Sequence, residues 1–265
     1  MIHNMVVNKH SDVQLLKPNW SAPAHIQAFS STRLGGNSSG PYSGLNLALH
    51  VGDYPLIVGK NRSTLAKALS LPDQLCWLNQ THSTTLLKLE ENTATDLTGD
   101  AAWTSYKNTP CIVMTADCLP VLITDKLGTF VGAIHAGWRG LCDGIIEKSI
   151  KTICDQSGVN TNDLLVWLGP CIGKTAFEVG DEVRAAFIAE NGQAEGAFSA
   201  SGDRWLADLQ QLARLRLAPF NVFEITASEY CTFNQADLFY SYRRDNITGR
   251  MASLIWIADA DIIPY

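Results

Sequence analysis

Three residues whose side chains commonly bind transition metals stand out in the sequence: His82, Cys118 and His135. A cysteine thiolate and two imidazoles form a known catalytic zinc set, in which the fourth coordination position stays open for water or substrate. Structural zinc sites are normally closed by four protein ligands, so a three-residue set favours chemistry. Their spacing matches no short zinc motif, and the prediction therefore depends on the elements that position them.

The segment 125–128 has the composition of a tight turn between two apolar strands. If it is a two-residue hairpin loop, Cys118 lies directly opposite His135 in the antiparallel register. Directly opposed residues share one face of a sheet, with Cβ atoms about 4.5–5.5 Å apart, so both side chains can reach one ion. A one-residue bulge at Gly128 would shift this pairing, and Pro120 indicates a kink or an edge position.

His82 ends a predicted strand over residues 75–82 and is the available third ligand. Less specific interpretations stay open for all three residues. An isolated cysteine is more often a packed, inert thiol. An isolated histidine is more often a hydrogen-bonded core or surface residue.

Three arginines are candidates for binding an anion. Arg139 follows His135 in the run His-Ala-Gly-Trp-Arg-Gly, where glycines between a strand and a helix can expose backbone N–H groups. Its guanidinium could add a charge-assisted fork to such a site. Arg33, beside a glycine pair, and Arg244, in an adjacent arginine pair, are further candidates. A solvated surface position is the alternative for each of them.

Hydrophobic periodicity and turn residues predict a mixed fold. Apolar runs predict strands over 25–32, 75–82, 84–90, 111–125, 128–138, 164–170, 221–227 and 252–258. Helical spacing predicts helices over 55–71, 140–156, 181–190 and 203–217. A Gly-, Ser- and Asn-rich loop over 33–53 is long enough to be functional. Strands and helices mix throughout, so we predict an α/β (mixed α+β) class in one layered domain.

The bulk composition is that of a packed globular protein, with 46% hydrophobic and 17% charged residues among 265. No linker is evident, so we predict a loosely ordered lead-in, 1–24, and one catalytic domain, 25–265. The net charge of -6 argues against a nucleic-acid surface. No apolar run reaches the roughly 18 residues needed to span a membrane. Seven cysteines without C-x-x-C, and a start unlike a secretion signal, indicate a reduced, cytoplasmic protein.

Several blocks, in order, resemble the YfiH-like family: GPYSGLNLALHVGD, WLNQTH, TADCLPVL, HAGWRGL, LGPCIG and YSYRRDNITGRMASLIWI. This family is also called the laccase-domain or multicopper polyphenol oxidoreductase family, and the peptidoglycan editing factor family. The resemblance implies a single α/β domain related to the catalytic domain of cytotoxic necrotizing factor. Carried over by motif, it implies that His82, Cys118 and His135 bind the metal.

The resemblance further implies a zinc-dependent purine nucleoside phosphorylase for adenosine, inosine and methylthioadenosine, with adenosine deaminase activity. Purine nucleoside and phosphate are then the small-molecule partners, and Arg33, Arg139 and Arg244 are the candidates for holding phosphate. No general acid can be assigned, and Asp100 and Asp117 are candidates only.

Two positions depart from the family pattern. Thr81 stands where valine is usual, which adds a hydroxyl next to His82. Trp205-Leu206 stands where relatives often carry Lys or Tyr before Ala-Asp-Leu, which puts a substrate contact from that segment in doubt.

Three other functions compete with the phosphorylase. In a metal-independent hydrolase, Cys118 would be the nucleophile and His135 the base, acting on an amide, for example in peptidoglycan precursors. A copper phenol oxidase is disfavoured because the chain has six histidines and no H-x-H, although Cu²⁺ is expected to displace zinc in vitro. A non-catalytic binding or regulatory module would be favoured by a buried site without a pocket.

Overall fold

The computed structural model of the protein describes residues 5–7, 12–72, 74–91 and 97–259. Within these ranges the chain forms fourteen β-strands and six α-helices, joined by loops and short 3₁₀ turns. Helices lie between strands along much of the chain, so the predicted mixed α/β class is confirmed. None of the helices in these ranges is long and apolar enough to cross a bilayer.

The strands are β1 (Met5–Val7), β2 (Gln14–Leu16), β3 (Ile26–Ser31), β4 (Leu86–Lys88), β5 (Ala101–Thr104), β6 (Cys111–Thr115), β7 (Leu119–Asp125), β8 (Val131–Ala136), β9 (Leu164–Leu168), β10 (Glu178–Val179), β11 (Phe198–Ser201), β12 (Arg204–Ala207), β13 (Glu224–Ala227) and β14 (Met251–Ile257). The helices are α1 (Pro55–Ala68), α2 (Trp138–Cys142), α3 (Ile145–Ser157), α4 (Asp181–Glu190), α5 (Leu209–Leu217) and α6 (Tyr242–Asp245).

The strands form two large sheets and one small one. The five-stranded sheet has the order β1-β2-β3-β14-β6 and is antiparallel throughout. The six-stranded sheet has the order β13-β9-β7-β8-β5-β4, with parallel pairs at both edges. The small sheet has the order β10-β12-β11.

The large sheets pack face to face, and helices cover their outer faces. Alternate residues of β14 point to opposite sides, so that Leu254 packs towards α1 and Ile255 packs between the sheets. In β7, Leu122 likewise lies between the sheets and Val121 packs towards the helices on the other side. The order of layers is therefore helix, sheet, sheet, helix, with the core in three apolar slabs.

The predicted lead-in is ordered where the structure describes it. β2 pairs with β3 through Leu15 and Leu16, and Val13 and Leu15 are fully buried in the layer beneath α1. The expectation of a loose segment over 1–24 is therefore wrong at β2, because these apolar side chains complete the core. Residues 1–4 and 8–11 of the predicted lead-in, and residues 260–265 of the predicted domain, lie outside the described residues.

The predicted strand over 111–125 is interrupted, and this break matters for the site. β6 ends at Thr115 in the five-stranded sheet, and β7 begins at Leu119 in the six-stranded sheet. Between them Asp117 adopts a left-handed φ of +95°. The chain therefore changes sheet at this point, and Cys118 lies at the crossing rather than within a strand.

The β7–β8 hairpin has a longer loop than predicted. Pro120, not Cys118, pairs with His135, so the register is offset by two residues. The buried carboxylate of Asp125 accepts hydrogen bonds from the backbone N–H groups of Leu127 (3.2 Å) and Thr129 (2.6 Å), which stabilises the wider turn. An offset of two residues preserves the face on which each side chain lies.

Two other predicted elements are wrong in type. Residues 75–82 form no strand, only an isolated bridge between Asn79 and Thr98. The predicted helix over 203–217 is a strand, β12, followed by α5. Asp208 caps α5 by accepting a hydrogen bond from Gln211 N (3.0 Å), and this cap separates the two elements.

The predicted helix over 140–156 is divided into α2 and α3. Gly144, with φ +86°, lies at the division, a conformation that favours glycine. Ile146, Ile150 and Ile153 of α3 are fully buried against the six-stranded sheet, as the predicted apolar stripe requires. The remaining predicted helices and strands are confirmed, with boundaries that differ by up to a few residues.

The hairpin turn provides a stability prediction. Asp125→Ala removes the acceptor for Leu127 N, Thr129 N and the Thr129 hydroxyl, so the free energy of unfolding should fall by roughly 1–3 kcal/mol. Lys126→Ala is the control, because it removes an exposed ion pair with Asp163 and should cost at most about 1 kcal/mol. Urea unfolding measures both. Equal losses for the two variants would contradict the role of Asp125.

Candidate metal centre and cavity

His82, Cys118 and His135 converge at one end of the two large sheets. Cys118 lies at the sheet crossing, His135 lies on β8, and His82 lies in the loop before β4. Their potential ligand atoms all lie within 4.8 Å of one another. Cys118 Sγ is 3.9 Å from His82 Nε2, and the two imidazole centroids are 4.9 Å apart. No second group of this kind was found within the described ranges.

A single buried carboxylate, Asp100, holds both histidines in place. Its Oδ1 accepts hydrogen bonds from His135 Nδ1 (2.9 Å) and from the backbone N–H of His82 (2.9 Å). Its Oδ2 accepts from the backbone N–H and the hydroxyl of Ser83, both at 2.7 Å. Because Nδ1 of His135 donates to Asp100, Nε2 is the nitrogen left to bind a ligand. Burial opposes ionisation of Asp100, but the hydrogen bonds from His135 and Ser83 outweigh it and lower its pKa.

The loop that carries His82 has an unusual backbone conformation. His82 adopts φ +60°, which is uncommon for a residue other than glycine. Gln80 fixes the loop against β6, because its side chain donates to Met114 O (2.8 Å) and accepts from Met114 N (2.7 Å). Non-glycine residues in this conformation persist where surrounding contacts enforce them, often at functional sites.

Gly137 leaves the space between His82 and Cys118 open. It lies at the N-terminus of α2 with φ -66° and ψ 158°, a conformation that any residue can adopt. A Cβ at this position would lie 2.8 Å from His82 Cδ2 and 3.1 Å from Cys118 Sγ. The missing side chain, not the backbone, is therefore what the centre requires here.

The electrostatics of the centre favour a thiolate. Burial opposes ionisation of Cys118, but the charge of His135 and hydrogen bonds from His135 and His82 outweigh it and lower the pKa to about 6. Burial would lower the pKa of His135, yet the Cys118 thiolate and Asp100 raise it. The thiolate is the form of cysteine that acts as nucleophile and as metal ligand.

A cavity of about 420 Å³ opens beside the three residues. This size lies in the range of small-molecule sites, about 300–1,000 Å³. Its lining combines the potential metal ligands with cationic, aromatic and apolar side chains: His50, Gln80, His82, Met114, Thr115, Ala116, Cys118, His135, Arg139, Tyr242 and Arg250.

The three predicted anion-binding arginines separate into two groups. Arg139 lines the cavity, with its guanidinium carbon 4.4 Å from the centroid of the Trp138 ring. Arg33 and Arg244 do not line it. Arg33 donates to the carbonyls of Ser43 and Ala236. The structure therefore places Arg33 at a contact between loops, outside this cavity, and its phosphate role stays a prediction.

Arg244 is likewise used within the fold. Its guanidinium donates to the carbonyls of Thr232 (2.9 Å), Phe233 (2.8 Å) and Phe239 (2.9 Å), and also contacts Asp245. These bonds hold the loop before α6, and the phosphate role of Arg244 likewise stays a prediction.

Neither candidate general acid lines the cavity. Asp117 is buried and accepts hydrogen bonds from the hydroxyls of Thr232 (2.7 Å) and Ser241 (3.0 Å) and from Arg243 N (2.7 Å). It therefore connects the sheet crossing to the N-terminus of α6, where Tyr242 lies. Asp100 acts through His135 as a positioning residue.

The two departures from the family pattern also have a place in the structure. Thr81 donates its backbone N–H to Asp100 Oδ2 (3.2 Å), and its hydroxyl lies 3.5 Å from the same oxygen. Trp205 lies on β12, away from the cavity lining, and donates to Asp181 Oδ1 (2.6 Å).

Seven of the lining residues were not identified from the sequence: His50, Gln80, Met114, Thr115, Ala116, Tyr242 and Arg250. A partial signal existed for His50, which lies in the long loop over 33–53 that was predicted to be functional. Tyr242 and Arg250 lie on either side of the Arg243-Arg244 pair, from which Arg244 was selected as an anion-binding candidate instead. The others gave no local signal, because only tertiary packing brings them to the cavity.

The low pKa of Cys118 leads to a reactivity prediction. In metal-free protein, alkylation of Cys118 by iodoacetamide should rise with a midpoint near pH 6, since the thiolate is the reactive form. Cys154, half-buried on α3, is the internal control, because burial raises its pKa. Peptide mass spectrometry over pH 5–9 measures both. A midpoint above pH 8 for Cys118 would contradict the described electrostatics.

Comparisons with known proteins agree with the motifs. The profile of a family described as "Multi-copper polyphenol oxidoreductase laccase" matches residues 27–258. A relative from Escherichia coli strain K12, named purine nucleoside phosphorylase YfiH, is 48% identical over 244 residues, which cover 92% of this chain and 99% of the relative. A relative from Pseudomonas aeruginosa, named purine nucleoside phosphorylase PA4543, is 45% identical and covers 92% and 98%.

A solved structure has the same fold. The crystal structure of Neisseria meningitidis protein NMB0706 superposes with a TM-score of 0.87 at 42% identity, covering 92% of this chain and 99% of that one. The predicted resemblance is thus confirmed over nearly the whole chain. The chain belongs to the YfiH-like family, whose profile carries the laccase description.

Proposed function

We propose that this protein is a zinc-dependent purine nucleoside phosphorylase acting on adenosine, inosine and methylthioadenosine, with adenosine deaminase activity. Its relatives carry the name purine nucleoside phosphorylase, which supports an enzyme using a purine nucleoside and phosphate. The observation that carries the proposal is the convergence of His82, Cys118 and His135 on a cavity lined also by Arg139.

The side chains at the centre fit a zinc ion. His82, Cys118 and His135 offer two nitrogens and one sulfur, a donor set that zinc favours, and Gly137 leaves room between two of them. The hydrogen bond from His135 to Asp100 is the outer contact that metal-bound histidines usually make. Zinc bound by such a set supplies Lewis acidity and lowers the pKa of water.

Phosphorolysis requires two ligands in one cavity. A phosphate oxygen forms a bond to C1′ of the ribose, the C1′–N9 bond breaks, and its electrons pass to the purine, which takes up a proton. The products are ribose 1-phosphate and the free base. Tyr242, a residue that is 55% exposed, and Met114 give the cavity an aromatic and an apolar surface on which we place the purine.

Deamination of adenosine would use the same cavity. Water adds to the purine carbon that bears the amino group, and ammonia leaves, which yields inosine. His82, Cys118 and His135 would hold the zinc ion at this end of the cavity, and a bound zinc ion would lower the pKa of the water that such an addition requires.

A Cys–His hydrolase acting on an amide, as in peptidoglycan precursors, is the second candidate. The observation that favours it is the arrangement of Cys118, His135 and Asp100, in which a low-pKa thiol faces an imidazole oriented by a carboxylate. Removal of metal separates the two candidates, because the hydrolase would stay active and the zinc enzyme would not.

The remaining alternatives have less support. The one group of potential ligands found in the described ranges offers three side chains, whereas multicopper oxidases need several histidine-rich sites. Oxidase activity in copper-loaded protein would then reflect Cu²⁺ at this centre. A non-catalytic module would be favoured by a buried site without a pocket, and a cavity opens beside this centre.

The activity prediction uses two cysteine variants. Cys118→Ser should reduce ribose 1-phosphate formation from inosine and phosphate to below about 1% of wild type, because loss of a ligand should cost more than the 10–100-fold typical of outer contacts. Cys154→Ser, on α3 and away from the cavity, should retain full activity. Chelation should abolish wild-type turnover and added Zn²⁺ should restore it. Full activity after verified metal removal would refute the zinc proposal.

A glycine variant tests the centre by metal binding instead of turnover. Gly137→Ala places a methyl group against His82 and Cys118, so the affinity for Zn²⁺ should fall roughly 10–100-fold with little change in melting temperature. Gly59→Ala is the matched control, since a Cβ on α1 would contact nothing within 4 Å. Competition with a chromophoric chelator measures both affinities. Unchanged Zn²⁺ affinity in Gly137→Ala would show that the ion binds elsewhere.

A further inference from the structure

We propose that Arg250, together with Arg139 and His50, binds the phosphate group in the cavity. The proposal rests on the proposed function, in which phosphate is the second substrate. All three residues line the same cavity as His82, Cys118 and His135. Arg250 and His50 were not predicted from the sequence, and they replace Arg33 and Arg244 in this role.

Arg250 is held rigidly at the wall of the cavity. Its backbone N–H donates to Asn46 Oδ1 (3.0 Å), and its carbonyl accepts from Leu47 N (3.3 Å). Its Nη1 donates to the carbonyls of Thr248 (3.1 Å) and Gly249 (3.0 Å). The guanidinium is therefore oriented before any ligand arrives, which lowers the entropic cost of binding.

The charge of Arg250 has no carboxylate partner. None of the ion pairs in the described part of the chain includes Arg250 or Arg139, and Nε and Nη2 of Arg250 find no acceptor there. Burial lowers the pKa of Arg250 more than the nearby charges of Cys118 and Asp117 raise it. A half-buried cation without a counterion costs free energy, and a bound anion would offset that cost.

Arg139 and His50 add further donors to the same wall. Neither side chain makes a hydrogen bond or an ion pair within the described ranges, so both side chains are free to contact a ligand. Burial, followed by the charges of Arg250 and Arg62, lowers the pKa of His50 and favours a neutral imidazole with one N–H donor. Two guanidinium groups and one imidazole match the oxygens of a phosphate dianion.

The other arginines support this choice by contrast. The guanidinium groups of Arg33 and Arg244 already donate hydrogen bonds to backbone carbonyls. A phosphate at either arginine would have to displace these bonds. Only Arg139 and Arg250, among the arginines in the described residues, line the cavity. The phosphate site is therefore assigned by free donors and not by the adjacency of arginines in the sequence.

The test measures phosphate binding separately from turnover. Inorganic phosphate is titrated by calorimetry into as-purified wild type, Arg250→Gln, Arg139→Gln and the control Arg204→Gln, whose exposed side chain pairs with Glu178 outside the cavity. We expect the Kd for phosphate to rise at least about tenfold in the first two variants and to stay unchanged in the control. The KM for phosphate should rise likewise, with a smaller change in the KM for inosine.

Folding is controlled within the series. Arg139 is exposed, so its variant should keep the wild-type melting temperature even if Arg250→Gln loses stability. Arg250→Lys should recover part of the phosphate affinity, because it restores the charge but not the fork. Phosphate binding unchanged in both glutamine variants would overturn the proposal.

The same titrations distinguish the proposal from the proposed function. If wild type binds phosphate through Arg250 but forms no ribose 1-phosphate, the anion site stands and the phosphorylase proposal fails. If turnover is normal and the Arg250 variants bind phosphate as wild type does, the phosphorylase proposal stands and the role of Arg250 in the anion site fails. If inosine 5′-monophosphate binds through Arg250 and inorganic phosphate does not, the anion is the substrate's own phosphate and the assignment to the second substrate is wrong.

Discussion

The buried carboxylate of Asp100 is the contact on which the candidate centre depends. It directly precedes β5 and lies between two histidines that are far apart in sequence. It accepts a hydrogen bond from the ring of His135 and another from the backbone N–H of His82. Without it, His135 could rotate or change tautomer, and the loop of His82 would lose the acceptor that holds its left-handed conformation. The centre is therefore organised by an anion that does not itself face the cavity.

The two-sheet architecture explains why the remaining groups meet where they do. β6 and β7 belong to different sheets, and the chain crosses between them at Asp117 and Cys118. Asp117 fixes that crossing to the N-terminus of α6, where Tyr242 lies, and Gln80 fixes the loop of His82 to β6. The loop that carries His82 and the sheet crossing that carries Cys118 are thus both held by hydrogen bonds to other parts of the fold.

The sequence predicted the fold class, most elements and the three residues of the centre, but the route to them was partly wrong. Cys118 and His135 were placed opposite each other, whereas His135 pairs with Pro120. Cys118 lies at the sheet crossing, just before β7, and its sulfur still comes close to the ring of His135. The strand that was to end at His82 does not form, because Asp100 and Gln80 hold that segment in another conformation.

What could not be predicted depends on long-range contacts. Asp100 is 35 residues from His135, and the backbone of Arg250 is held by Asn46, 204 residues away. Local periodicity contains no information about such pairs. The adjacent pair Arg243-Arg244 was a misleading signal for the same reason. Hydrogen bonding within the fold decides which guanidinium group remains available to bind an anion.

Residues from both large sheets, or directly next to them, line the cavity. Arg250 directly precedes β14 of one sheet, and His135 lies on β8 of the other, so the distance between these two residues depends on the spacing of the two sheets. That spacing is set by a layer of aliphatic side chains, among them Val113, Leu122 and Ile255. Reacting atoms must be aligned to within about 1 Å, so the thickness of this hydrocarbon layer becomes a determinant of catalytic alignment. Evolution or design could tune turnover there without altering any residue that touches the ligands.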